Sequence, residues 1–274
     1  MPNVNRKVLP GFSLTLGYSM FYLSVLVLIP IAACFARGAS LTWDEFISTV
    51  WSERARSAYL VTFGTSFIAA LINVFLGLLI AWVLVRYKFP LKRIFDSLID
   101  VPLALPTAVA GLVYSTLYVE TGWLGRYLVP LGIQAVYTKL GIVLVLTFIG
   151  LPFIVRTVQP ILEQMDPDAE EAAGSLGATR WQNFRHIILP TLYPSLLTGF
   201  ALGFARCLGE YGSVVFVSGN FPHKTEIAAV LIVARLEEFA YGEATAIAVV
   251  LLTFSFAMLI LINTLERWSR RHHA

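Results

Sequence analysis

The chain has 274 residues, 57% of them hydrophobic and only 14% charged, with a formal net charge of +3 and a mean hydropathy of +0.74. That balance excludes a soluble globular core, and the arginines are scattered rather than gathered in a basic stripe, which excludes a nucleic-acid surface. Two cysteines, Cys34 and Cys207, lie in apolar segments without metal-ligand spacing and read as small hydrophobes, not as a disulfide or metal framework.

In chain order, Arg6 and Lys7 precede an apolar run over residues 11–36. It exceeds the roughly 7–15 residues of a cleavable signal core and predicts a retained transmembrane helix; the faint likeness of Ile31-Ala32-Ala33-Cys34 to a lipoprotein cleavage box is outweighed by that length. Residues 37–57 read as an external loop with a short helix, anchored at the interface by Trp43 and Trp51. A second span covers 59–84, where Asn73, the only strongly polar interior residue, is expected to hydrogen-bond to a neighbouring helix. Arg86, Lys88, Lys92 and Arg93 then form the densest basic cluster, a cytoplasmic loop by the positive-inside rule.

The third span, 98–118, contains Asp100, Pro102 and Pro106. Two prolines four residues apart remove two backbone hydrogen bonds and predict a kinked or unwound helix. Carbonyls freed at membrane depth need protein or a water-filled cavity beside them, so this segment is expected to line something. A short external loop leads to a fourth span over 140–158.

Residues 166–190 are a polar island. Asp166 can cap a helix that begins at Pro167, with Asp168, Glu170 and Glu171 at the positive end of its dipole. Gly177 should stop that helix, Thr179 and Gln182 have the spacing of a capping box, and Pro190 is expected to end the second helix. The competing reading is an amphipathic hairpin on the lipid headgroups, with Trp181, Phe184 and Ile187 as its apolar face.

A fifth span covers 192–219, with Gly199 and Gly203 at the spacing that lets helices approach closely. Arg206 and Glu210 lie in the same span. Each would cost about 2.5–3.5 kcal/mol at the bilayer centre, so both should face protein or water. As an i, i+4 pair they can simply neutralise one another; alternatively the guanidinium offers a transient site to an anion crossing the membrane. Gly209 and Gly212 would make the helix bendable there. Residues 220–241 form the last external loop, 243–261 the sixth span, and Arg267, Arg270 and Arg271 close the chain in the cytoplasm. Cytoplasmic segments carry eleven Lys or Arg and external ones seven, which fits six spans with both termini inside. The fold class is therefore an all-α polytopic membrane protein, divided at 1–58, 59–264 and 265–274.

No G-x-x-x-x-G-K-S/T phosphate loop, H-E-x-x-H or G-x-S-x-G occurs, and His186, His223, His272 and His273 are dispersed. No catalytic or metal-binding constellation is therefore expected.

Glu171-Ala172-Ala173, Gly177, Ile187 and Leu189-Pro190 stand at the spacing of an EAA loop, and the chain resembles the permeases of type I ABC importers. In that family the loop is a coupling helix seated in a cleft of a separate ATPase. The resemblance implies this role for Glu171, Ala172, Ala173, Gly177, Thr179, Arg180, Ile187, Leu189 and Pro190. Val8-Leu9-Pro10-Gly11-Phe12, the stretch 100–111, Val155-Arg156-Thr157-Val158-Gln159-Pro160, the stretch 206–212 and Lys224-Thr225-Glu226 resemble the CysT-type subunits of bacterial sulfate/thiosulfate permeases. Gly209-Glu210-Tyr211-Gly212 is a pattern shared with CysW-type and molybdate permeases, so it points to an oxyanion group.

The resemblance implies an inner-membrane subunit that pairs with a CysW-type permease, an ATPase dimer carrying ATP and Mg, and an external sulfate- or thiosulfate-binding protein. No cofactor would be bound by this chain. Arg206, Glu210, Gly209, Gly212, Asp100, Pro102 and Pro106 become candidates for the pathway or its gate. A molybdate or tungstate importer is the alternative function; an ATPase-independent channel or secondary transporter is a more distant one.

Overall fold

Within lipid a backbone can pair only with itself, which drives long apolar runs into helices. The computed structural model describes residues 12–272. Among them no strand occurs, and five helices are long and apolar enough to cross a bilayer. Helix α1 runs through Phe12–Leu23, a π turn at Ser24–Leu28 and Ile29–Gly38. The π turn lies immediately before Pro30, where the wider turn relieves the clash between the proline ring and the carbonyl four residues back. Arg6, Lys7 and the motif residues from Val8 to Gly11 lie outside the described residues.

The short helix expected in the first loop is α2 (Trp43–Val50), started by a full capping box between Thr42 and Glu45. The core is built by three long helices: α3 (Glu53–Arg86), α7 (Lys139–Gln164) and α9, which runs unbroken over Arg180–Leu208. Helices associate in lipid through close packing rather than hydrophobic transfer, and small residues allow the approach. A Cβ on Gly77 of α3 would lie 2.6 Å from Ile154, and one on Gly199 of α9 would lie 2.7 Å from the Thr157 hydroxyl. Gly199 and Gly203 thus face α7, as their spacing predicts. Around these contacts Ile142, Leu146, Ile149, Leu192 and Phe204 are fully buried.

Helix α11 (Ala228–Glu237) packs Leu231 against Ala55 and Ala58 of α3 and Ile247 of α12 (Tyr241–His272), while Arg54 clamps the buried Glu226 through two bonds of 2.8 and 2.7 Å. The sixth span is longer than expected, since α12 continues into the stretch read as a tail.

The third span is broken near its prolines, as their spacing predicts: α4 (Lys92–Ile99), α5 (Val101–Ala104) and α6 (Thr107–Tyr118) are separate, with Leu105 and Pro106 extended between the last two. Leu105 sits at ψ 131° because a following proline bars it from helical geometry. Three expectations need correction. Pro190 does not end its helix. A second π turn, Phe184–Ile188, absorbs it just as the first absorbs Pro30, and α9 continues to Leu208. That helix then stops at Gly209, short of residue 219, and a separate turn, α10 (Val214–Val217), follows. Asn73 also departs from expectation. It is fully buried against Gly150, yet neither side-chain polar atom has a hydrogen-bond partner among the described residues.

Candidate functional site: a capped island and two intramembrane arginines

The island forms from its own local chemistry. Asp166 accepts the Asp168 N–H at 3.0 Å and starts α8 (Pro167–Ser175). Gly177 turns the chain at φ +84°, a region that disfavours any side chain. Thr179 and Gln182 then satisfy each other's backbone N–H groups, at 3.3 and 2.7 Å, as the first turn of α9. The Asn183 amide donates to the Glu170 carbonyl at 3.4 Å and ties the two helices together.

Glu170 pairs with Arg86 at the end of α3, and the Arg86 guanidinium lies 5.3 Å over Trp82. Trp82 meets Phe184 edge-on at 5.8 Å, and Phe184 stacks on Trp181 at 5.6 Å. The island is therefore fastened to α3 by an ion pair and an aromatic corner, and to α9 by direct continuation of the helix.

At the other end of α9, Arg206 Nη1 donates to Glu210 Oε2 at 2.7 Å, while Glu210 Oε1 accepts the Ser213 N–H and hydroxyl, both at 2.9 Å. Glu210 is only 3% exposed, and these three bonds compensate the removal of its charge from water. Arg206 is held by one nitrogen only: its side chain is 33% exposed, and Nε and Nη2 make no hydrogen bond among the described residues. The bend after Leu208 is pressed onto the start of α6. A Cβ on Gly212 would strike Thr107, one on Gly111 would strike the Ser213 backbone, and Ser115 donates to the Phe216 carbonyl at 2.7 Å.

Asp100 belongs to a different cluster. Arg156 of α7 grips it with Nε and Nη2 at 2.9 and 2.6 Å, reaches Asp96 Oδ1 at 2.7 Å and its carbonyl at 2.8 Å, and donates to Gln159 at 2.9 Å. The cluster clamps α4 and α5 onto α7.

Residues 73–271 match the family of binding-protein-dependent transport system inner membrane components. The chain is 45% identical over 268 residues to the sulfate transport system permease protein CysT of Escherichia coli, covering 97% of each chain. With the CysT protein of Synechocystis it shares 50% over 254 residues, covering 93% of this chain and 89% of the relative. The chain belongs to the CysT-type permeases. Among solved structures, a bacterial ABC transporter involved in the import of alginate has the same fold, with a TM-score of 0.75 at 16% identity over 93% of this chain and 94% of that one. The alginate transporter in complex with its pentasaccharide-bound periplasmic protein gives 0.74 at 19% identity, covering 93% of both chains. Family and fold together make this a permease subunit of an ABC importer and a multi-pass membrane protein.

In this CysT-type permease the expected site residues fall into separate groups. Glu171, Ala172, Gly177, Thr179 and Arg180 are exposed on the island, whereas Ala173, Ile187, Leu189 and Pro190 are half-buried. Arg206, Glu210, Gly209 and Gly212 lie together at the bend, where Gly212 abuts Thr107, the residue after Pro106; Asp100 stands with Arg156, and Pro102 is buried. Sequence reasoning passed over Arg156 and Asp96, although a charge inside an apolar helix was itself a signal. It also passed over Leu176, 89% exposed at the island's tip.

Proposed function

We propose that this permease carries sulfate or thiosulfate inward across the inner membrane, along a pathway shared with a CysW-type permease and driven by a separate ATPase dimer that holds ATP and Mg. The observation that carries the reading is the unengaged edge of the Arg206 guanidinium, in a chain nearly half identical to proteins named for sulfate transport. Two parallel N–H groups on a planar cation suit a tetrahedral oxyanion, and Glu210 holds the cation in place while neutralising it between cargoes.

In this account the island and both termini are cytoplasmic. Leu176, Ala172 and Gly177 enter a cleft of the ATPase, with Glu171 and Ala173 beside them; Thr179, Ile187, Leu189 and Pro190 hold the geometry of the joint. ATP-driven closure of the ATPase pair moves α8, the unbroken α9 transmits the displacement, and the bend at 209–213 shifts against α6. An external binding protein delivers the anion at the opposite end.

Radiolabelled sulfate uptake in a strain that lacks this subunit, restored from a plasmid, tests the substrate. Uptake blocked by excess thiosulfate but not by molybdate is the expected result; blockage by molybdate alone moves the same machine to molybdate or tungstate. Single cysteines at Ala172 or Gly177 should cross-link to the ATPase in the assembled complex, and an assembled complex without a cross-link contradicts the coupling role.

A further inference from the structure

Beside the joint between α3 and the island lies a cavity of about 580 Å³. One wall is Phe75, Leu79 and Trp82, spaced four and three residues apart and hence aligned along one face of α3. Phe75 and Leu79 are exposed, so in a bilayer this stripe faces hydrocarbon. Trp181 and Phe184 close the groove at the island end, a position suited to indoles at the membrane interface.

The rim is cationic. Arg180 lines the groove and forms no ion pair or hydrogen bond through its side chain among the described residues, whereas the neighbouring Arg86 is neutralised by Glu170. An apolar trough one helix face wide, with an uncompensated guanidinium at its interfacial end, complements an amphiphile with one hydrocarbon chain to lay down and one negative charge beside it.

We infer that this groove binds an anionic phospholipid, with an acyl chain along Phe75, Leu79 and Trp82 and its phosphate on Arg180. Bound there, the lipid bridges α3 and the first turn of α9. The inference rests on the membrane placement of α3 and on the charge of Arg180, and it stands whichever anion the permease carries.

A photoreactive benzoylphenylalanine in place of Leu79 tests it in the full-length chain, assembled with its permease and ATPase partners and reconstituted in vesicles of equal phosphatidylcholine and phosphatidylglycerol. After illumination, adduct masses identify the neighbour. Phosphatidylglycerol adducts should exceed phosphatidylcholine adducts roughly fivefold, the preference that one cation near an anionic lipid confers. Arg180→Gln should bring the ratio to about one, and Arg185→Gln, in the same helix but outside the groove, should leave it unchanged. Adducts in the proportions of the vesicle with Arg180 intact, equal loss of preference in both variants, or adducts to a protein subunit would each overturn the inference.

Discussion

Arg156 and Arg206 sit on adjacent helices of one bundle and are held in opposite ways. Arg156 makes five hydrogen bonds, most of them to a segment 56 to 60 residues earlier in the chain. Among the described residues Arg206 makes one, to a carboxylate four residues later that is itself fixed by Ser213. A guanidinium with all its donors engaged is a clamp, because an incoming anion has nothing to bind until a carboxylate leaves. One with a free edge can receive an anion, which is the role proposed for Arg206. A charge within an apolar helix therefore does not by itself mark a transport site, and the proposal for Arg206 rests on its unspent donors.

That distinction can be broken experimentally. Arg156→Gln leaves Asp96 and Asp100 facing each other without a cation. Breaking a buried pair costs about 3–5 kcal/mol, and partial exposure here lowers the expected loss to about 1–3 kcal/mol. The purified complex should melt earlier and assemble in lower yield. A variant that assembles and melts normally yet fails to transport would assign the receptor role to Arg156 instead. A smaller effect is expected from Ser213→Ala, which removes one of two bonds from Ser213 to Glu210 and should cost about 0.5–1.5 kcal/mol. Uptake should stay within a few-fold of the parent. A loss of transport with unchanged stability would move the limiting step to the orientation of Glu210.

What the sequence made legible follows from how local each interaction is. The island's caps at Asp166, Gly177 and Thr179–Gln182 span two or three residues each, so their spacing alone specified them. The break near Pro106 was legible for the same reason, since proline acts on its own turn and on the residue before it. The clamp on Arg156 was not, because hydropathy along α7 says nothing about which distant carboxylate its face will meet. Pro190 misled because a π turn, supported by surrounding packing, can absorb a proline that would otherwise end a helix. The stop at Leu208 was hidden by the apolar Val214–Val217 turn, which prolongs the hydrophobic run although the chain has already left the helix. Asn73 had the residue type for an interhelical bond, but its side chain is packed against Gly150, and among the described residues the bond is not made.

The central contrast is tested most directly by the initial rate of sulfate uptake into proteoliposomes containing the complex with Arg206→Gln and Glu210 intact, measured beside basal ATPase activity. Loss of charge-assisted bonds to the anion, each contributing about 1.5–3 kcal/mol, predicts a roughly ten- to hundredfold fall in uptake. Assembly and basal ATP hydrolysis should be unchanged. Uptake within twofold of the parent, or a complex that no longer assembles, would show that Arg206 does no more than neutralise Glu210.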